Sequence, residues 1–202
     1  MNKIFGIGFH KTGTSSLGRA LQILGYKNCH GAGHIRNFIG HDNMMRKLKK
    51  GDLDDIWIVA DQFDSFQDNP WQIIFQCADK KYSNSKFILT VRDPDSWYKS
   101  VVNHFKNTET DFRKWVYGEE NGSPVGNKME YIRRYEKHNE DAVNYFQNRK
   151  DDLLVMDLEK CINPWESICE FLNQPLPQVP FPYVNKGNYQ SLLGKFGKWL
   201  SG

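Results

Sequence analysis

The feature that most restricts the fold lies near the start of the chain, in "IFGIGFHKTGTSSLGRALQILGY" from Ile4 to Tyr26. A short apolar run over residues 3–9 reads as a buried strand. From Ser15 onward Leu17, Ala20, Leu21 and Leu24 recur at helical spacing, and Gly25 stands where a C-terminal cap belongs. Strand, glycine loop and helix in that order leave open N–H groups at a helix start, a natural seat for a phosphate. The hydroxyls of Thr12, Thr14, Ser15 and Ser16 gather at the same place. In the nucleoside-triphosphate loop G-x-x-x-x-G-K-[ST] the lysine follows the second glycine directly. Gly8 and Gly13 keep that spacing, yet Thr14 comes next, and the only lysine is Lys11, inside the loop. Helix capping by Ser and Thr is the plainer reading of the same residues.

The remaining pattern alternates strand and helix. "YKNCH" suggests a second strand, no element is assigned up to about residue 42, and "DNMMRKLKKGD" predicts a short helix ending at Gly51. Ile56, Val59, Ala60 and Phe63 predict a helix capped by Asp52, with "FDSFQ" as the next strand. Pro70 to about Tyr82 is apolar at helical period, and "KFILTV" (86–91) is the continuous apolar run of a strand in a parallel sheet. A helix opens after Asp93-Pro94 with Trp97, Val101 and Phe105 on one face; residues 116–127 read as a loop; Met129 to Phe146 is a long amphipathic helix. "LLVMDL" is the last strand, Asn163-Pro164-Trp165-Glu166 a capping box opening a helix over "WESICEFL", and the chain from about 173 a proline-rich, extended tail. This succession predicts a single domain over 1–202 with a three-layer α/β/α fold and a mostly parallel sheet.

A second stretch carries chemistry, "TVRDPDSWYKS" at 90–100. Arg92 ends a strand and Ser100 lies on the next helix, so both can face the carboxyl edge of the sheet, where open α/β folds bind ligands. An arginine clamps phosphate through paired hydrogen bonds, although an ion-paired strand end fits it equally.

Together these segments resemble the sulfotransferase family. Its 5′-phosphate loop commonly reads K-[ST]-G-T-[ST], here Lys11-Thr12-Gly13-Thr14-Ser15, and its 3′-phosphate motif has an arginine and a serine eight positions later, here Arg92 and Ser100. "GFHKTGTSSL", "FDSFQDNPW", "ILTVRDPDSWYKSV" and "PFPYVN" are similar to soluble sulfotransferase-like proteins of bacteria and some eukaryotes, so the resemblance runs from residue 4 to about 185. It implies a P-loop-containing nucleotide-binding fold and 3′-phosphoadenosine 5′-phosphosulfate (PAPS) as sulfuryl donor, with the bisphosphate (PAP) as product and no metal required. It also implies Lys11 at the bridging oxygen, the Gly13–Ser16 amides and Thr14 and Ser15 hydroxyls on the 5′-phosphate, and Lys186 as a possible 3′-phosphate contact.

The acceptor needs a proton acceptor near Lys11. Histidine or glutamate serves in related enzymes; here Asp68 and then Asp64 flank the "SFQ" strand, and His10 beside the loop is a third choice. Asp68 could equally cap the helix expected at Pro70. Residues 30–45 and 103–128 are the expected acceptor walls, being polar and irregular. Trp97, Tyr98, Trp115 and Tyr117 read as core or as acceptor-pocket residues, and His138 as a possible acceptor contact. Cys29, His30 and His34 match no zinc spacing. Net charge +3 and a pI near 8.6 suit a small anionic ligand better than nucleic acid. No apolar run reaches the length of a signal or membrane segment, and four cysteines without a C-x-x-C pair read as reduced thiols, so a cytoplasmic location is expected. The acceptor's identity and the oligomeric state are not legible. A magnesium-ATP kinase of small molecules and a non-catalytic nucleotide-binding module are the rival readings.

Overall fold

The computed structural model describes residues 2–184. Five strands, β1 (Ile4–Gly6), β2 (Asn28–His30), β3 (Ser65–Gln67), β4 (Lys86–Thr90) and β5 (Leu153–Met156), form one parallel sheet in the order β2-β3-β1-β4-β5. Side-chain alternation divides each strand between two cores. Phe5, Ile7, Phe66, Phe87 and Leu89 point to one face, while Ile4, Ile88 and Met156 point to the other. Burial of each large side chain contributes about 1.5–3 kcal/mol.

The first face is covered by α2 (Gly33–Ile39), α3 (His41–Lys50), α4 (Asp54–Ala60), α5 (Phe75–Lys81) and part of α8 (Lys128–Tyr145); the second by α1 (Thr14–Ile23) and α9 (Pro164–Leu172). The predicted three-layer α/β/α arrangement is therefore the observed one. A third, aromatic cluster forms where α6 (Pro94–Phe105), α7 (Asp111–Tyr117) and α8 meet Phe9 beyond β1, with Trp97 stacked on Tyr135 at 4.2 Å and Tyr117 on Tyr131 at 3.7 Å.

Several local expectations are corrected. The sequence assigns neither α2 nor α7. The latter is capped by Thr110, whose hydroxyl accepts the Arg113 N–H at 3.2 Å. Residues 70–74 turn before α5 begins at Phe75. α4 starts at Asp54 with Leu53 at the N-cap position, and Asp52 just before it pairs with Lys47 at 2.6 Å while its Oδ1 accepts the Asp54 N–H at 3.4 Å. The Asn163 side chain makes no cap bond, so α9 begins on Pro164 without the expected capping box. Beyond α9 the chain folds back along it: the Trp165 indole donates to the Val179 carbonyl at 2.8 Å, and Phe181 meets the Trp165 ring edge-on at 5.2 Å.

The strand order decides where a ligand can sit. The chain leaves β1 toward β2 on one side and continues from β3 across to β4 on the other, so a crevice opens at the carboxyl end of β1.

Candidate functional site

The β1–α1 loop fills that crevice. Gly8 crosses so close to β4 that a Cβ there would collide with Thr90. Gly13 is the helix N-cap at φ +100°, a left-handed conformation that an L side chain resists, and a Cβ would also strike Leu158. Lys11 likewise has positive φ, at 69°. The first i→i−4 bond of α1 runs from Leu17 N–H to Gly13 C=O, and no side chain caps the helix, so the Thr14, Ser15 and Ser16 amides have no intrahelical acceptor. Simple capping by the loop hydroxyls is thus not what the loop does.

Thr12 departs from its expected part in holding a ligand. Its hydroxyl donates to the Phe9 carbonyl at 2.6 Å and therefore accepts from the Thr90 hydroxyl, also at 2.6 Å, so it has no proton left for a phosphate. Its work is to tie the loop to β4. The Ser16 hydroxyl accepts the Val184 N–H at 2.9 Å and keeps its own proton, which brings Val184 to the loop.

These elements enclose a cavity of about 1110 Å³. Its walls bring Lys11, Thr12, Gly13, Thr14, Ser15, Ser16, Asp68, Arg92 and Ser100 together. Burial lowers the Lys11 pKa and the Arg92 charge lowers it further, while Asp68 opposes both. Arg92 is an ion-paired strand end, 2.7 Å from Glu159, and its buried Nε has no partner among the described residues. Its backbone is gripped by Tyr135, whose hydroxyl accepts the Arg92 N–H at 2.8 Å and donates to the Arg92 carbonyl at 2.9 Å.

Asp64 and Asp68 separate. In a parallel sheet the residue before β3 lies at the amino edge, and Asp64 there accepts the Lys27 N–H at 2.9 Å, far from the loop. Asp68, just past β3, lines the cavity, with Oδ1 accepting the Asn69 N–H at 2.8 Å and Oδ2 3.8 Å from His30. No helix starts at Pro70 for it to cap. Asp64, unlike Asp68, does not line the cavity. Lys186 lies outside the described residues.

Two expected walls shrink. From 30–45 only His30 lines the cavity, and from 103–128 only Asn103, His104 and Phe105, because α2, α3 and α7 pack away from it. Trp97, Tyr117 and the partly buried Tyr98 belong to the aromatic cluster, and Trp115 packs on the large core. His138 is a core residue: its Nε2–H donates to the Ile7 carbonyl at 2.7 Å and the ring stacks on Phe9 at 4.6 Å, burial holding its pKa near about 4. His30 turns toward Gln67 and Asp68, whereas His34 packs on Phe63 at 4.6 Å. Cys29 is buried, which pushes its thiol up to about 12.

His10 carries more than its sequence position suggests. It is 7% exposed and lines the cavity, and neither ring nitrogen has a partner among the described residues. Burial is the main reason its pKa falls to about 4; Asp68 raises it, while Arg113, Lys11 and His104 lower it. At neutral pH it is an uncharged imidazole.

An open-amide helix start, a lysine within the loop and an arginine at the neighbouring strand end line one cavity of an α/β protein, an arrangement chemically suited to an anion. The family described as "Sulfotransferase domain" matches residues 3–121 and 112–189, and the chain belongs to that family. It is also similar to "Ava biosynthesis cluster protein M" of Aspergillus versicolor, 26% identical over 233 aligned positions that cover 97% of this chain and 86% of that one. Among the described residues no helix is long and apolar enough to cross a membrane.

Proposed function

We propose that this protein moves a sulfuryl group from PAPS to a hydroxyl or amine acceptor. The observation that carries the reading is Lys11 held at positive φ inside a loop whose following amides are open, on the wall of one cavity with Arg92 and Ser100. The residues present fit the donor. Thr14, Ser15 and Ser16 N–H groups and the Ser15 hydroxyl suit a 5′-phosphate, and the unpartnered Arg92 Nε with the Ser100 hydroxyl suits a 3′-phosphate.

The donor supplies an activated sulfuryl group. What the chain must add is alignment and charge, since group transfer of this kind asks for little covalent work by the protein. Lys11 neutralises the charge that develops on the leaving oxygen, and the helix N-terminus acts in the same sense. Asp68 and His10 are among the cavity-lining groups able to receive the acceptor's proton. Thr12 and Gly8 hold the loop close enough to β4 that Lys11 and Arg92 act on one ligand.

Calorimetric titration of metal-free protein with PAP, beside ATP with and without magnesium, tests the reading. Binding of the bisphosphate without metal is the expected result. Binding of magnesium-ATP alone would replace the sulfotransferase reading with a kinase, and bisphosphate binding without turnover of any acceptor would favour a nucleotide-binding module.

A further inference from the structure

Lys11 and Arg92 stand on separate backbone segments, and each segment is held by one side chain of the aromatic cluster. Just past β4 the Val91 N–H still donates to the Met156 carbonyl at 2.9 Å. At Arg92, the next residue, the Tyr135 hydroxyl takes over both peptide groups, accepting the N–H at 2.8 Å and donating to the carbonyl at 2.9 Å. One phenol thus stands in for a neighbouring strand, and α8 sets how Arg92 leaves the sheet.

The Trp97 indole on α6 donates to the His10 carbonyl at 2.8 Å. That carbonyl belongs to the peptide unit that ends on the Lys11 nitrogen. Lys11 has a φ of 69°, a conformation that costs an L residue free energy and persists only where the surroundings hold it.

The two holders form one unit. Trp97 and Tyr135 are fully buried, and their rings stack at 4.2 Å with 11° between the planes. A continuous path therefore runs from Lys11 through the His10 carbonyl, the indole and the phenol to Arg92. The Thr12–Thr90 bond draws the same two segments together, but it acts one residue after Lys11 and two before Arg92. Neither Trp97 nor Tyr135 lines the cavity.

Resting on the sulfotransferase reading above, we propose that Trp97 and Tyr135 are positioning residues that fix the span between Lys11 and Arg92, so that the site selects two phosphate groups at one separation on a single nucleotide. Close packing makes the stacked pair a rigid spacer. Without the phenol hydroxyl the Arg92 peptide groups turn to water, and the guanidinium settles on Glu159, 2.7 Å away. Without the indole N–H the His10 carbonyl is released and Lys11 relaxes from its positive φ. Tyr135 thus governs the 3′-phosphate end and Trp97 the 5′-phosphate end.

Calorimetry with PAP, adenosine 5′-phosphate and adenosine 3′-phosphate on Tyr135→Phe and Trp97→Phe tests this, and both variants keep a ring in the stack. Tyr135→Phe should weaken PAP and adenosine 3′-phosphate by about tenfold and leave adenosine 5′-phosphate within about twofold. Trp97→Phe should weaken PAP and adenosine 5′-phosphate by about tenfold and spare adenosine 3′-phosphate. Tyr131→Phe is the control: it removes from the same cluster a hydroxyl bonded to the Asn121 carbonyl at 3.1 Å, and should lower the melting temperature with all three affinities unchanged. If each variant weakens the three ligands equally, in step with its melting temperature, or weakens none, the stacked pair is core alone and the proposal fails. Either variant decides the matter if the other does not fold. Failure of wild-type protein to bind PAP at all would instead remove the sulfotransferase reading beneath it.

Discussion

Lys11 and Arg92 make different demands on a nucleotide, so their variants separate the loop from the strand end. Lys11→Ala should lower sulfuryl transfer by about 10²–10³-fold, the usual loss when one donor to a developing charge is removed. Its melting temperature should stay near that of wild type, because the side chain lies on the cavity wall. Turnover that survives the change would take Lys11 out of the chemistry. Arg92→Ala should cost about 1.5–3 kcal/mol of PAP affinity and almost nothing for a nucleotide lacking the 3′-phosphate. Equal losses for both ligands would mean that Arg92 serves only its pair with Glu159.

The loop is tied to distant segments by buried contacts, among them Thr12 with Thr90 and the Trp97 indole donating to the His10 carbonyl at 2.8 Å. Thr90→Val keeps the shape and removes the proton that Thr12 receives, which should cost about 1–3 kcal/mol in urea unfolding. Bisphosphate affinity should fall with it, since Gly8 and Lys11 are held by the same contact; an unchanged affinity would show the loop to be self-supporting. In α7 the Thr110 cap bonds the Arg113 N–H, so Thr110→Ala should lower stability by about 1 kcal/mol. The signal for this helix is present in "TDFRKWVY", a capping Thr followed by Asp and an aromatic face. It is masked because Arg113 sits among the apolar positions: the buried guanidinium donates to the Gly122 and Thr108 carbonyls, an arrangement that exists only once α7 and the chain after it are in place.

Stability of the molecule should depend on acid through two rings. His10 and His138 are buried neutral, with pKa values lowered to about 4, whereas an unfolded histidine titrates near 6.5. Between those values the unfolded chain binds more protons than the folded one, so stability rises with pH across the window and is lost as pH falls through it. Each ring contributes at most about 3 kcal/mol to that slope. Urea midpoints at several pH values between 4.5 and 7 should climb steadily, and His138→Gln should flatten part of the climb. A level profile for wild type would mean that the rings are charged in the folded protein.

Periodicity alone yields the alternation of strand and helix, the parallel sheet and the loop that joins β1 to α1, because burial on two faces and a 3.6-residue repeat are written into neighbouring positions. Lys11, Arg92 and Ser100 are legible for the same reason, each belonging to a short motif. The separation of Asp68 from Asp64 was within reach, since a parallel strand sends its two ends to opposite edges. Folding alone settled the rest. Thr12 spends its hydroxyl on Phe9 and Thr90, far along the chain in the second case, and burial at the edge of the aromatic cluster leaves His10 uncharged and without a ring partner among the described residues. A residue's type states what it can donate or accept; which groups remain unpaired, and face a ligand, depends on contacts that no local stretch of sequence contains.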